Sequence, residues 1–381
     1  MFYYIILIVI FITILLNEFM HDKFEKKIYI FWIIFLFIIS AFRYETGNDW
    51  LAYERMLDYE LPFRTAIDNF SNYYNYNKDI EIGYRLLNSI VKSAGGDLQT
   101  VFFITSLFSF ISLSKFIKQY SNKKLISVII YYSVFFLNFN MSIIRQGIAL
   151  SIFLIALNYL FDRKFIKYIL LILIATSFHQ SAIVLIPVYF IYRLHFNGKV
   201  MLGTLLVFLL LRVINVDFIT MIALFLPTSL MNYVFGYLQG SIVQPLLSFG
   251  TIERLVSSVL MIVALSFIKD KKLHFFGHLY IIYVILNFTL FKSDIILTRI
   301  RFYFQISYIV MIPILYTYYK KKIPKSVLFS LIFVFSFLPM YFFLSSNINK
   351  VLYNPYQNYI VHRVFELEST GRERYYSVIN N

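Results

Sequence analysis

The chain contains no cysteine. That excludes disulfides, thiolate metal sites and a cysteine nucleophile, and says little about compartment. Charge is scarce as well: Asp, Glu, Lys and Arg make up 14% of the 381 residues, against about 25% in soluble domains. There is no Gly-rich phosphate loop, Walker motif or G-x-S-x-G elbow, so ATPase and serine-hydrolase readings have nothing to stand on. No H-E-x-x-H or His/carboxylate spacing points to a metal, and no cofactor is expected. Fixed-period repeats and low-complexity segments are missing too. What is present is apolar. Hydrophobic residues make up 60% and aromatics 20%, with 43 Phe and 32 Tyr, and the mean hydropathy is +0.71. Length alone would suggest two or three soluble domains, but such domains could not hide this much apolar surface. The formal charge of +15 sits in short runs between apolar stretches. A nucleic-acid binder would gather it on one soluble face, so no nucleic-acid partner is expected. The composition predicts an all-α, polytopic transmembrane helix bundle with the lipid bilayer as its solvent.

Apolar runs fall near 2–16, 28–42, 99–116, 125–141, 146–161, 166–192, 200–213, 252–268, 273–291, 302–319 and 326–344. Each can cross, or half cross, a hydrocarbon core of about 30 Å. The first lacks a basic n-region and a small-residue cleavage site, so it reads as a retained helix. Residues 1–381 read as a single transmembrane domain with three long polar stretches at 43–98, 214–251 and 345–381. Six short connections, near 17–27, 115–124, 162–167, 193–199, 269–272 and 320–325, hold 19 of the 35 basic residues, and 17 of those are lysine. Positive charge near helix ends marks the cytoplasmic side. With all six placed there, the run 166–192 begins and ends inside and must turn back. Its one polar patch is Thr176-Ser177-Phe178-His179-Gln180-Ser181, where a serine could cap a second half-helix. Each half spans only about 20 Å, so the pair packs inside the bundle. One long tilted helix is the alternative, and it would place 193–199 outside. The favoured topology has about twelve crossings, two of them short, and both termini outside.

The other 16 basic residues lie on the outer side, and 12 of them are arginine. Orientation does not require arginine. Its planar fork suits phosphate or carboxylate and stays charged when partly buried. Arg145 opens one span in Ile143-Ile144-Arg145-Gln146-Gly147, Arg299 and Arg301 open another, Arg254 opens a third beside Glu253, and Arg43 ends the second. Arg145 and Arg254 oppose the helix dipole, so helix stability alone would not place them there. Together with a half-helix N-terminus near His179, these arginines could hold a diphosphate at headgroup depth. Alternatively, terminal arginines snorkel to lipid phosphates. Arg363, Arg372 and Arg374 in the tail read as solvated. His179 lies at membrane depth, where ionisable groups are costly and usually serve a site. It could take a proton from a sugar hydroxyl or steady a phosphate. The other histidines, His195 among them, adjoin inner loops, inner helix ends or the tail. The 43–98 stretch mixes carboxylates, Asp49 and Glu81 included, with Tyr53, Tyr73, Tyr74, Tyr76 and Tyr84. Sugar binding needs that mixture, and an amphipathic surface loop of short helices on the outer leaflet shows it too.

At these residues the chain resembles a known family. Arg43-Tyr44-Glu45-Thr46-Gly47-Asn48-Asp49-Trp50-Leu51-Ala52-Tyr53 is similar to the R-Y-x-x-G-x-D-[YW]-x-x-Y signature of EpsG-like, Wzy-type polysaccharide polymerases. Glu81-Ile82-Gly83-Tyr84, Arg145-Gln146-Gly147, the patch around His179, and Arg299 with Arg301 follow in that family's order. Asn354-Pro355-Tyr356-Gln357-Asn358-Tyr359 resembles its tail. The resemblance implies a GT-C-like membrane glycosyltransferase that needs no metal. It would polymerise O-antigen, capsule or exopolysaccharide repeat units carried on undecaprenyl diphosphate. The reaction would face outward from the bacterial inner membrane, beside a flippase and a chain-length regulator of the same pathway. On that reading Arg145 is the first diphosphate ligand, completed by Arg299, Arg301 and Arg254, and His179 activates the acceptor or steadies the phosphate. Arg43 and Asp49 shape the entrance, Glu81 binds sugar or holds Arg43, and Tyr53 lies among the sugar-binding groups. A lipid-linked oligosaccharide flippase would also need outer cations, but it should line both leaflets with charge. A glycan acyltransferase should carry a His-x-x-x-x-Asp motif, which is missing around His179.

Overall fold

The computed structural model describes residues 1–379 apart from 69, 71–72, 74–78, 195, 226 and 240–241, so Tyr74, Tyr76 and His195 lie outside the described residues. Among the described residues every regular element is a helix, and one isolated antiparallel bridge joins Arg43 to Asn358. Several helices start where a short polar side chain satisfies the first free amides. Asp97 accepts from the Thr100 amide at 3.0 Å, Asn197 from Val200 at 2.9 Å and Asp270 from Lys272 at 2.7 Å.

Four helices are long and apolar enough to cross a membrane: Phe2–Phe19, Leu98–Tyr120, Ile144–Phe161 and Lys325–Ser345. The pair Asp294–Gln305 and Tyr308–Tyr319, bent by 51°, makes a fifth if it counts as one span. The chain is therefore a multi-pass membrane protein. The expected twelve crossings are not reached on these criteria, because apolar helices such as Lys124–Phe139 and Phe165–Phe178 are shorter. At about 1.5 Å per residue, fourteen residues do not span a 30 Å core.

The run expected to turn back does so. The Phe165–Phe178 helix ends at His179, whose backbone is extended, and the chain returns as a 3-10 turn over Gln180–Leu185. The Tyr168 hydroxyl then donates to the Leu185 carbonyl at 2.6 Å, and the Phe165 ring meets that of Tyr189 at 4.9 Å. The serine cap is not found: the residue before the returning turn is His179, and its side chain makes no capping hydrogen bond. A six-residue 3-10 turn also offers no helix N-terminus to an anion.

The lysine-rich connections meet at one end of the bundle. Lys123 pairs with Glu18 at 2.9 Å, Lys124 with Glu25 at 3.1 Å and Lys325 with Glu18 at 3.0 Å. The Phe161 ring joins Tyr120, Tyr192 and Phe275 at the same end. The 43–98 stretch and the tail pack together at the other end. Here the tail arginines do more than face solvent. Arg372 pairs with Glu54 at 2.7 Å and Glu45 at 3.5 Å, and Arg374 donates to the Gln357 side chain at 2.5 Å. The Tyr359 amide donates to the Phe42 carbonyl at 2.8 Å. Two stretches far apart in sequence thus form one layer over the arginine-bearing helix ends.

Candidate active site

The layer begins at the end of the Glu25–Ala41 helix. Arg43 is fully buried, with its guanidinium 3.8 Å from the centre of the Phe102 ring. Its Nη1 donates to the Thr46 carbonyl at 2.8 Å and also to the Met141 carbonyl. Gly47, with φ +105°, lies where a Cβ would press on the Met141 carbonyl, so the motif glycine lets this loop lie flat on the turn preceding Arg145. The loop delivers Asp49 to the start of the Trp50–Asp58 helix. Burial raises the Asp49 carboxyl above the ordinary range, against the opposing pull of Arg145 and Arg43. One turn on, buried Tyr53 packs its ring at a tilt against that of Tyr84 at 5.6 Å and has its hydroxyl within reach of Arg145.

Arg145 stands in the first turn of the Ile144–Phe161 helix, its side chain 24% exposed. Its Nη1 donates to Glu81 Oε2 at 2.5 Å, and Glu81 Oε1 accepts from the Gln180 amide at 3.2 Å. Glu81 therefore holds Arg145 rather than Arg43, and it ties Arg145 to the turn that carries His179. The charged groups in electrostatic range of His179 are Glu81, Arg145 and Arg299. His179 Nδ1 lies 2.7 Å from Ser181 Oγ, which lies 3.2 Å from the Tyr303 hydroxyl. Arg299 is exposed, and its backbone carbonyl accepts from the Gln146 side chain at 2.6 Å. Gln146 thus locks the helix carrying Arg299 to the helix carrying Arg145. Asp49, Tyr53, Glu81, Arg145, His179 and Arg299 form one cluster at the end opposite the lysines.

Arg254 and Arg301 form a second cluster. Both interact with Tyr283 and Tyr308, and the two guanidinium groups act on one another. The Nε of each is buried without a hydrogen-bond partner. Glu253, which accepts from the Tyr308 hydroxyl at 3.2 Å, and Asp294 offset part of this paired positive charge, and the unused buried donors leave room for a further acceptor. Arg299 and Arg301 sit two residues apart on the Asp294–Gln305 helix, so at about 100° per residue they face nearly opposite sides. The single expected clamp is therefore two pairs on either side of that helix. Sequence reasoning missed Gln146, Ser181 and Tyr303 as members of the site. Two of the three lie in the matched motifs, beside Arg145 and His179, which were weighed in their place.

The chain belongs to the EpsG family, whose sequence profile matches residues 26–358 and so covers every residue of both clusters. Comparison with curated proteins and with solved structures gave no match. Membership of this family is that of a membrane protein related to polysaccharide polymerisation, consistent with glycosyltransferase chemistry.

Proposed function

We propose that this chain joins oligosaccharide repeat units, each carried on a polyprenyl diphosphate such as undecaprenyl diphosphate, into O-antigen, capsule or exopolysaccharide. The reaction takes place at the outer face of a bacterial cytoplasmic membrane. One observation carries the reading. Arg145, fixed by Glu81 and Tyr53, shares a cluster with Arg299 and His179 at the end away from the lysine-rich loops.

A hydroxyl of the acceptor sugar attacks the anomeric carbon of the donor. The carbon–oxygen bond to the diphosphate breaks, and its electron pair leaves with the phosphate oxygen. Arg145 and Arg299 take up the charge that develops there, a role that donors fixed in advance perform well. The hydroxyl proton passes to His179 Nε2. When Nδ1–H donates to Ser181 and Ser181 donates onward to Tyr303, Nε2 is the unprotonated ring atom. Two lipid-linked substrates meet in such a reaction, and the Arg254–Arg301 pair supplies a place for the second diphosphate. The chemistry asks no divalent ion of the leaving group, and it places the chain among GT-C-type enzymes. A flippase supplies its substrate, and a chain-length regulator limits its product.

The test is reconstitution of the purified chain in liposomes with purified lipid-linked repeat unit. A glycan ladder is expected, and it should vanish in Arg145→Ala, His179→Ala and Arg299→Ala at normal protein levels. Wild-type ladders in all three variants would overturn the site. Lipid made accessible on the far side with no ladder would mean a flippase instead.

A further inference from the structure

The Trp50–Asp58 helix has two working faces. Tyr53 reaches towards Arg145, whereas Trp50, Glu54, Leu57 and Asp58, spaced by three or four residues, turn towards a separate cavity of about 360 Å³. That volume is within the range of small-ligand sites. Its other walls come from Asp97 and Gln99 at the start of the Leu98–Tyr120 helix, from Tyr359 and Arg363 in the tail, and from the 43–45 loop. Arg43 forms part of the lining, and its Nε and Nη2 are buried without hydrogen-bond partners. Four carboxylates, Glu45, Glu54, Asp58 and Asp97, line the space against three cations, Arg43, Lys92 and Arg363. At the rim Arg372 bridges Glu45 and Glu54 and lies 5.6 Å from the centre of the Trp50 ring.

We propose that this cavity binds the sugars of the glycan that lie away from the bond being made. The inference rests on the polymerase reading. The chemistry is that of carbohydrate recognition: carboxylates accept hydroxyl or ammonium hydrogen bonds, Lys92, Gln99 and Arg363 donate to hydroxyl oxygens, and Tyr44 and Tyr359 supply apolar faces. The position fits as well. Arg43 touches both this cavity and the Met141 carbonyl just before Arg145, so the cavity backs directly onto the reaction cluster. A chain held here would lie beside its own reacting end.

The chain has two tryptophans, Trp32 and Trp50, so Trp32→Phe leaves Trp50 as the only reporter. The detergent-purified full chain would be titrated with free repeat oligosaccharide, released by mild acid from the lipid-linked units of its own cells. A saturable change in Trp50 fluorescence is expected, at least tenfold weaker in Glu54→Gln and in Asp58→Asn with unchanged melting temperatures. Inorganic diphosphate should give no response. No response to the oligosaccharide, equal binding in both folded variants, or a matching response to diphosphate would each overturn the proposal. The readout needs neither lipid nor transfer. A null titration beside an Arg145-dependent ladder condemns the cavity alone, and binding without such a ladder condemns the polymerase reading.

Discussion

Replacing Arg145 by lysine keeps the charge and removes the fork. The guanidinium gives one donor to Glu81 Oε2 at 2.5 Å and has Tyr53 as a second partner. With five N–H donors in a plane, it still has donors for phosphate oxygens. A lysine ammonium has three donors on one nitrogen, and Glu81 would claim the nearest of them. The substitution therefore removes about one charge-assisted hydrogen bond to the leaving group, worth roughly 1.5–3 kcal/mol. At about 1.4 kcal/mol per tenfold, that is a loss of roughly 10- to 150-fold in rate. Because the charge develops as the bond breaks, the loss should fall on kcat more than on KM. The ion pair is a quarter exposed on the arginine side, so the stability cost should stay below about 1 kcal/mol. The assay is the initial rate of ladder growth in liposomes at saturating lipid-linked unit, with a melting curve of each purified protein. An Arg145→Lys enzyme as fast as wild type would refute the bidentate argument.

Other outcomes follow from the same geometry. Glu81→Gln and Arg145→Ala should be non-additive, with a coupling of about 0.5–3 kcal/mol in a double-mutant cycle on ladder rate; strict additivity would separate the two residues. If His179 is the base, the wild-type rate should fall on the acid side as the imidazole takes up a proton. His179→Gln should then be slow and flat over the same range, and a wild-type-shaped profile would remove His179 from the proton path. A Cβ at Gly83 would lie 2.5 Å from Ser177 Oγ and 2.7 Å from the Ser177 carbonyl. Gly83→Ala should therefore cost about 1–3 kcal/mol as the neighbouring helix is pushed away. Thermal unfolding of the purified variant measures this, and an unchanged melting temperature would contradict the packing.

Much of the fold could be read from the apolar runs, because a helix facing lipid carries its signal along its whole length. The 146–161 run became the Ile144–Phe161 helix, and the turn at His179 was found from lysine placement and one polar patch. Arg145 stood out as an isolated charge in apolar sequence. Its partner did not, because pairing across 64 residues is decided by packing, and the sequence offers sugar or Arg43 as the partner of Glu81. The split of the arginines into two pairs was latent in the two-residue spacing of Arg299 and Arg301, which puts them on opposite helix faces. Gln146, Ser181 and Tyr303 carry no charge, and their roles depend on contacts with helices distant in sequence. Arg372 looked solvated because its carboxylate partners, Glu45 and Glu54, lie more than 300 positions away.

The central claim is that Arg145 and Arg299 hold the diphosphate of the reacting lipid. The most direct measurement is a structure of the chain in lipid nanodiscs with a non-cleavable phosphonate analogue of the lipid-linked repeat unit. The account predicts a headgroup within hydrogen-bonding distance of both guanidinium groups, with the anomeric carbon facing His179. A headgroup seated elsewhere, with Arg145 still closed on Glu81 alone, would contradict it.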